Sequence, residues 1–309
     1  MTPHPTADPG VTASDAPVLP PELGHLVRRG DRALAIGPGR LAVALAERTD
    51  QQVASVHETH ACVEAVRAAL GPRGRTGGVV DAQVGDLTAG RPETGPYDVI
   101  VVTAGITALS PRWFTQLSAR GVIVAPVALG GLHPWLVVGA DRYDRTWYGQ
   151  VLGVDPGIRP LSADGALGRR PEPAVPAGAD DPRAAAQWAS LMPSRLSATE
   201  LTSMWLWLAT REARTTGATV PGTGWGPVPT VVAESGAVHV TPRGLWLTDT
   251  GPATMALAQD VAGHIQRWTL RCPAPTDLTC RLDLPAATRS GALLTPADWT
   301  ADRVVTLPR

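Results

Sequence analysis

Lysine is missing from this chain of 309 residues, and all 27 basic side chains are arginine. Phenylalanine is almost missing, with one residue against ten tryptophans. Tryptophan fills a core as phenylalanine does, but it brings an N–H that needs an acceptor. Cysteine is scarce. Cys62, Cys272 and Cys280 are too few and too scattered for a disulfide framework or a structural zinc site, so a reducing, cytoplasmic setting is expected. Charge is low as well. Ionisable residues make up 18% of the chain and the net charge is −1, which argues against a nucleic-acid partner gripped by bulk charge. No apolar run approaches the ~20 residues needed to cross a bilayer, so no membrane association is expected. The first residues lack the basic segment and apolar core of a secretory signal. Residues 1–20, rich in Pro, Ala, Thr and Asp, read as a disordered lead.

What the chain does have is alternation. The run Arg32–Ile36 reads as a first strand, passes through Gly37-Pro38-Gly39 and enters a helix over Leu41–Arg48. Val53–Val56 reads as a second strand and His60–Leu70 as a second helix, with Val63, Val66 and Leu70 on one face. Val79–Val84 is the third strand. Val99–Val102 and Val122–Val127 are the fourth and fifth, with a helical patch expected over Trp113–Leu117 between them. Short runs of Val and Ile separated by helices describe buried parallel strands in a doubly wound α/β sheet. After Val127 the texture changes. Leu136–Val138 and Trp147–Leu152 read as antiparallel strands that close the edge of the sheet. Residues 166–182 have the Pro, Gly and charge content of a linker. Beyond it Ser197-x-x-Glu200 forms a capping box before a helix, Val231-Val232 and Val238–Val240 read as strands, and Pro252–Trp268 is a second good helix. The expected organisation is therefore a lead over residues 1–20, an α/β domain over 21–165, a linker over 166–182 and a smaller α+β unit over 183–309.

Parallel sheets of this kind bind ligands at the carboxyl ends of their strands. Gly37 and Gly39 lie where the first strand hands over to a helix. Two glycines there let a nucleotide-like ligand approach the backbone and the unpaired N–H groups of the helix start. Glu58 is the acid available after the second strand to accept hydrogen bonds from ribose hydroxyls. Asp86 follows the third strand, either as a polar anchor for a base or ribose edge or as the cap of its own turn. Thr103, with Ala104 and Gly105, forms the corner after the fourth strand. The group His57, Glu58, His60 and Cys62 has the spacing H-E-x-H rather than H-E-x-x-H, so no metal is expected. Neither a G-x-S-x-G elbow nor a cysteine nucleophile motif occurs, which removes support for hydrolysis. Trp205 and Trp207 read as core rather than as a substrate cage.

One string of residues is specific. Gly85-Asp86, Pro96-Tyr97-Asp98, Val99 to Thr103-Ala104, Gln116-Leu117, Gly121 and Pro126 resemble the protein-L-isoaspartate O-methyltransferases. Trp113, Gly131-Leu132 and the late helix Gly251-Pro252 to Trp268 resemble the actinobacterial members that accompany peptide modification. The resemblance implies a Rossmann-like methyltransferase sheet with a smaller C-terminal unit. It implies S-adenosylmethionine as methyl donor, bound through Gly37, Gly39, Glu58, Asp86 and Thr103. It also implies a free carboxylate of a peptide or protein, of isoaspartate or aspartate type, as acceptor. The chain departs from the family at Ala35, where an acid is usual, in the missing third glycine of the first motif, and at His57-Glu58-Thr59, where the acid stands one place late. Thr12 and Ser14 are the candidates for the segment that meets the acceptor. Two further readings stay open: a catalytically inactive relative serving as a binding or scaffold subunit, and a nicotinamide-dependent oxidoreductase.

Overall fold

The computed structural model describes residues 21–38, 41–70, 79–143, 146–154, 167, 175, 183–184, 186–189, 191–192, 196–220, 223–224, 226–234, 236–290, 292–302 and 305–307. Seven of the first eight strands in chain order build one sheet. They are β1 (Ala33–Ile36), β2 (Val53–His57), β3 (Val80–Val84), β4 (Tyr97–Val102), β5 (Leu117–Pro126), β6 (Pro134–Ala140) and β7 (Trp147–Val154). The eighth, β8 (Arg183–Ala184), joins β9 (Thr215–Ala218), β10 (Val228–Val232), β11 (Ala237–Thr241) and β12 (Gly244–Leu247) in a second sheet. The last two strands, β13 (Thr279–Leu282) and β14 (Ala297–Thr300), return to the first, giving the order β14-β13-β7-β6-β5-β4-β1-β2-β3. Residues beyond 183 thus contribute to both sheets.

Strands β1 to β5 are parallel and β6 and β7 run antiparallel, as the loss of intervening helices after Val127 predicts. The direction of winding reverses between β1 and β4, which makes a switch point there. Alternation along each central strand explains why both faces are apolar. Leu34, Ile36, Ile100, Val102, Ile123 and Ala125 enter one core, and Ala33, Ala35, Val99, Val101, Val122 and Val124 enter the other. The second core is covered by α2 (Leu41–Thr49) and α3 (His60–Leu70), at the expected places. Helix α2 ends where Asp50 takes a left-handed φ of 56°, its carboxylate 2.6 Å from Arg29.

One expected helix shrinks, and a single helical turn, α1 (Pro21–Gly24), precedes β1. Between β4 and β5 the helix α4 is Pro111–Phe114, capped by Ser110, and stops before Leu117. The cause is capture of its end by the sheet. Tyr97 N–H donates to Gln116 O at 2.7 Å and Tyr97 pairs with Leu117, so β5 begins there. A one-turn helix leaves much of this face bare, and the C-terminal residues cover it. Helix α5 (Ala198–Ala209), with the expected capping box, and α6 (Pro252–Arg271) pack with the second sheet into one continuous core with Leu34, Ile100 and Val102. Helix α7 (Leu284–Ser290) lies between β13 and β14. No described helix is long and apolar enough to cross a membrane.

Candidate functional site at the carboxyl edge

The parallel register brings the ends of β1 to β4 level. Ile36 stands beside Val56 on one side and Val102 on the other, and His57 stands beside Val84. The ladder runs on into the turns. Gly37 N–H donates to Val56 O at 3.0 Å, Gly85 N–H to His57 O at 3.0 Å and Thr103 N–H to Ile36 O at 2.9 Å. Gly37 has φ of 105°, a conformation that L side chains rarely adopt, so glycine is required for the chain to turn here. Gly39, with Arg40, lies outside the described residues, as do Thr12 and Ser14.

Thr103 braces this turn rather than reaching outward. Its hydroxyl donates to Ile36 O at 3.2 Å and also lies against Pro38 O, which ties the end of β4 to the loop after β1. Asp86 is exposed. Its Oδ1 accepts from Thr88 N at 2.8 Å and Thr88 Oγ1 at 2.7 Å, and Oδ2 lies 3.9 Å from Arg112. The Thr88 hydroxyl above all, and secondarily the Thr88 and Ala89 amides and Arg112, hold its carboxyl below the usual range. Asp86 therefore caps its turn and still presents a charged edge to solvent past the end of β3. Glu58 is half-buried just past β2. His57, in the place where the resemblance expects an acid, is buried, with Nε2 2.7 Å from Ser55 Oγ and Nδ1 without a hydrogen-bond partner. Burial lowers its pKa, and the Gly37 backbone nearby opposes this in part. Ala35 stands opposite Ser55 in register, so the missing acid leaves a small apolar contact in its place.

The residues of the specific string turn out to be braces. Trp113 is fully buried and its Nε1 donates to Leu87 O at 2.9 Å. Gln116 accepts from Arg91 N at 2.9 Å and donates to Ala89 O at 2.7 Å, and Tyr97 Oη donates to Arg91 O at 2.7 Å. Together they shape the Leu87–Arg91 segment that follows Asp86. Trp205 and Trp207 belong to the core, as expected. Their Nε1 atoms donate to Gly130 O at 2.7 Å and His264 O at 3.1 Å. No group of three or more His, Cys, Asp or Glu that could hold a metal occurs among the described residues.

Sequence reasoning missed one residue at this edge. His133, just before β6, lies across Gly105, where a Cβ would come within 2.3 Å of Cδ2 and 2.7 Å of Nε2. The available signal was Gly105 itself, at the corner after β4, together with the Gly130-Gly131 loop.

A switch point between β1 and β4 in a doubly wound sheet is the arrangement of a Rossmann-like fold. The family model of protein-L-isoaspartate(D-aspartate) O-methyltransferase matches residues 16–144. Over those residues the chain is similar to the protein-L-isoaspartate O-methyltransferase family. Among curated proteins, the protein-L-isoaspartate O-methyltransferase of Methylorubrum extorquens is 36% identical over 40% of this chain and 55% of its own length. That of Methylorubrum populi is 32% identical over 45% and 66%, and that of Methanoculleus marisnigri 36% identical over 38% and 54%. The chain thus spans about half the length of the curated relatives it matches. A solved protein-L-isoaspartate O-methyltransferase aligns over 89% of this chain and 78% of its own, at 18% identity and a TM-score of 0.43. The sheet assignment stands on strand order and register.

Proposed function

We propose that this chain binds S-adenosylmethionine at the β1–β4 switch point and promotes methyl transfer to a free carboxylate of a peptide or protein, of isoaspartate or aspartate type. The observation that carries this reading is the Gly37 turn, held open by a positive φ and tied to the end of β4 by Thr103, within the segment that matches the family. The residues present fit such a donor. Gly37 removes a side chain from the place where a ligand would meet the backbone, Glu58 is the carboxylate available to ribose hydroxyls, and Asp86 offers a charged edge at the third strand end. When bound, the donor supplies a methyl group on a positively charged sulfur. The chain's own task is modest. An acceptor carboxylate is ionised at pH 7 and needs no base, so the protein has to align it and exclude water.

Calorimetry with S-adenosylhomocysteine is the direct test, followed by ester formation on an isoaspartyl peptide with a labelled methyl donor. Saturable binding is expected. Absence of heat at millimolar ligand would reject the reading.

A further inference from the structure

Arginine collects where the end of α5 meets α6. Trp207 Nε1 donates to His264 O at 3.1 Å, which joins the two helices. The Arg211 guanidinium, just past the end of α5, lies over the Trp207 ring with Cζ 3.2 Å from its centroid. Its Nη1 donates to Trp207 O at 3.2 Å and also meets the Thr210 hydroxyl. On α6, Arg267 folds back over Gly263, where a Cβ would lie 3.7 Å from Nη1, and donates through Nη2 to His264 Nδ1 at 2.8 Å. Arginine can only donate, so His264 accepts at Nδ1 and its Nε2–H donates to Glu212 Oε1 at 3.1 Å. Arg271, one turn on, is paired with Asp302. Three guanidiniums thus stand against two carboxylates. Among the described residues neither Arg211 nor Arg267 forms an ion pair. Burial first, then the charges of Arg267 and Arg271, push the Arg211 pKa down, as expected of a cluster short of counter-charge.

The same turns of α6 carry an apolar feature. Leu270 is 86% exposed. It follows Arg267 by three residues and Gln266 by four, so it neighbours both on the helix surface. Gln266, Thr269 and Leu270 form one wall of a cleft of about 420 Å³, and Gln187, Trp188 and Leu191 form the other. We propose that the end of α6, with Arg211, is a docking surface for a peptide segment in which acidic residues adjoin a bulky apolar one. A guanidinium held flat on an indole keeps its N–H edge in a fixed direction, ready for a carboxylate. Leu270 and the cleft offer apolar contact within one turn of Arg267. A nucleic-acid strand fits less well, because Glu212 and Asp302 border the arginines and would face its phosphates. The proposal goes beyond the methyltransferase reading and does not depend on it.

Fluorescence anisotropy tests it, with the full chain and a fluorescein-labelled peptide, Gly-Glu-Glu-Leu-Glu-Glu-Gly, at low salt. Saturable binding is expected, and it should be lost at roughly 0.5 M salt. The peptide with glutamine for glutamate should not bind, and the peptide with alanine for leucine should bind about fivefold more weakly. Arg211→Gln, Arg267→Gln and Leu270→Ser are each expected to weaken binding about fivefold. Arg267 and Leu270 are exposed, so their variants keep the test open if Arg211→Gln folds poorly. Arg29→Gln removes an equal charge from an exposed pair with Asp50 beside α2, and should bind as wild type. Wild-type protein that does not bind the glutamate peptide overturns the proposal. So does equal loss in Arg29→Gln and Arg267→Gln, which would make the effect one of net charge. A Leu270→Ser chain that binds as wild type, or a labelled single-stranded oligonucleotide that binds more tightly than the peptide, overturns it as well.

Discussion

The two sheets place their polar groups differently. In the first, β1 and the Val99–Val102 part of β4 carry no polar side chain, the buried pair Ser55 and His57 stays within β2, and Glu58, Asp86, Thr103 and His133 stand beyond the strand ends. In the second, a polar row runs through the middle. Thr216 stands opposite Thr230, Thr230 opposite His239 and His239 opposite Trp246. The first three are buried. Thr230 Oγ1 donates to Val228 O at 3.2 Å and meets His239 Nδ1 at 2.9 Å, while His239 Nε2 has no hydrogen-bond partner. Polar atoms at a strand end can meet a ligand. Polar atoms inside a sheet must be satisfied there or they cost stability. Glu58 and Asp86 at the edge of the first sheet are open to a ligand, whereas Thr216, Thr230 and His239 of the second are enclosed.

The largest effect is expected where the first sheet's crevice is braced. Trp113→Ala empties a fully buried site and leaves Leu87 O without its donor, and should cost about 4 kcal/mol. Urea unfolding would measure it, and a loss below about 1 kcal/mol would show that Trp113 is not a brace. The second sheet has its own signature, in pH. Burial pushes the His239 imidazole down to about 4 from an ordinary 6.5. The folded state therefore resists a proton that the unfolded chain accepts. Stability is complete above about pH 6.5, falls as the pH drops toward 4 and levels off below. The total is on the order of 3 kcal/mol for a shift of this size. His57, lowered in the same direction by burial, adds to the same limb. Melting temperatures across this range should fall in wild type and fall less in His239→Phe. An identical pH dependence in both would remove the second sheet's part in the effect.

The sequence resolved the strands well because their signal is local. The runs of Val, Ile and Ala in β1, β2, β4 and the second half of β5 are buried on both faces, and an apolar run needs no knowledge of its neighbours to be read. The capping box at Ser197 and Glu200 is local too. The helix expected over Trp113–Leu117 was misread at its end, because Gln116 and Leu117 are claimed by β4, twenty residues earlier in the chain. That is a long-range pairing with no local mark. At the site, Asp86 was legible both as an anchor and as a turn cap, and the Thr88 hydrogen bonds show the cap. Thr103 was read as a ligand contact, and the structure gives it the brace of the Gly37 turn. His133 was not legible at all, since its position depends on Gly105, 28 residues away, and on glycines pressed by a unit some 80 residues further on.

A smaller effect tests whether the second sheet's unit supports the first sheet's crevice. Trp205→Phe removes the donor to Gly130 O and thins the packing over Gly217, for a cost of about 2 kcal/mol. If the support reading is right, isoaspartyl peptide binding weakens while S-adenosylhomocysteine binding does not, because Gly130 lies on the β5–β6 connection and not at the Gly37 turn. Equal weakening of both ligands would mean that the unit merely stabilises the whole fold.

The smallest stability change should come from Thr103→Val, which keeps the shape and deletes the hydroxyl. Ile36 O still accepts from Thr103 N–H, so only the second bond to Ile36 and the one to Pro38 are lost. The expected cost is about 1 kcal/mol. The functional change should exceed the structural one. Pro38 O would lose the hydroxyl that holds it to β4, and the turn after β1 would have to be ordered by the ligand itself. S-adenosylhomocysteine affinity should then fall by roughly fivefold, the equivalent of that same 1 kcal/mol, with peptide affinity in the saturated complex unchanged. This is the mirror image of the Trp205→Phe pattern. Opposite outcomes for Thr103→Val and Trp205→Phe would separate the part of the fold that sets donor affinity, at β1 and β4, from the part braced at Gly130. A Thr103→Val protein that loses both ligands in step would show that the two parts are one cooperative element.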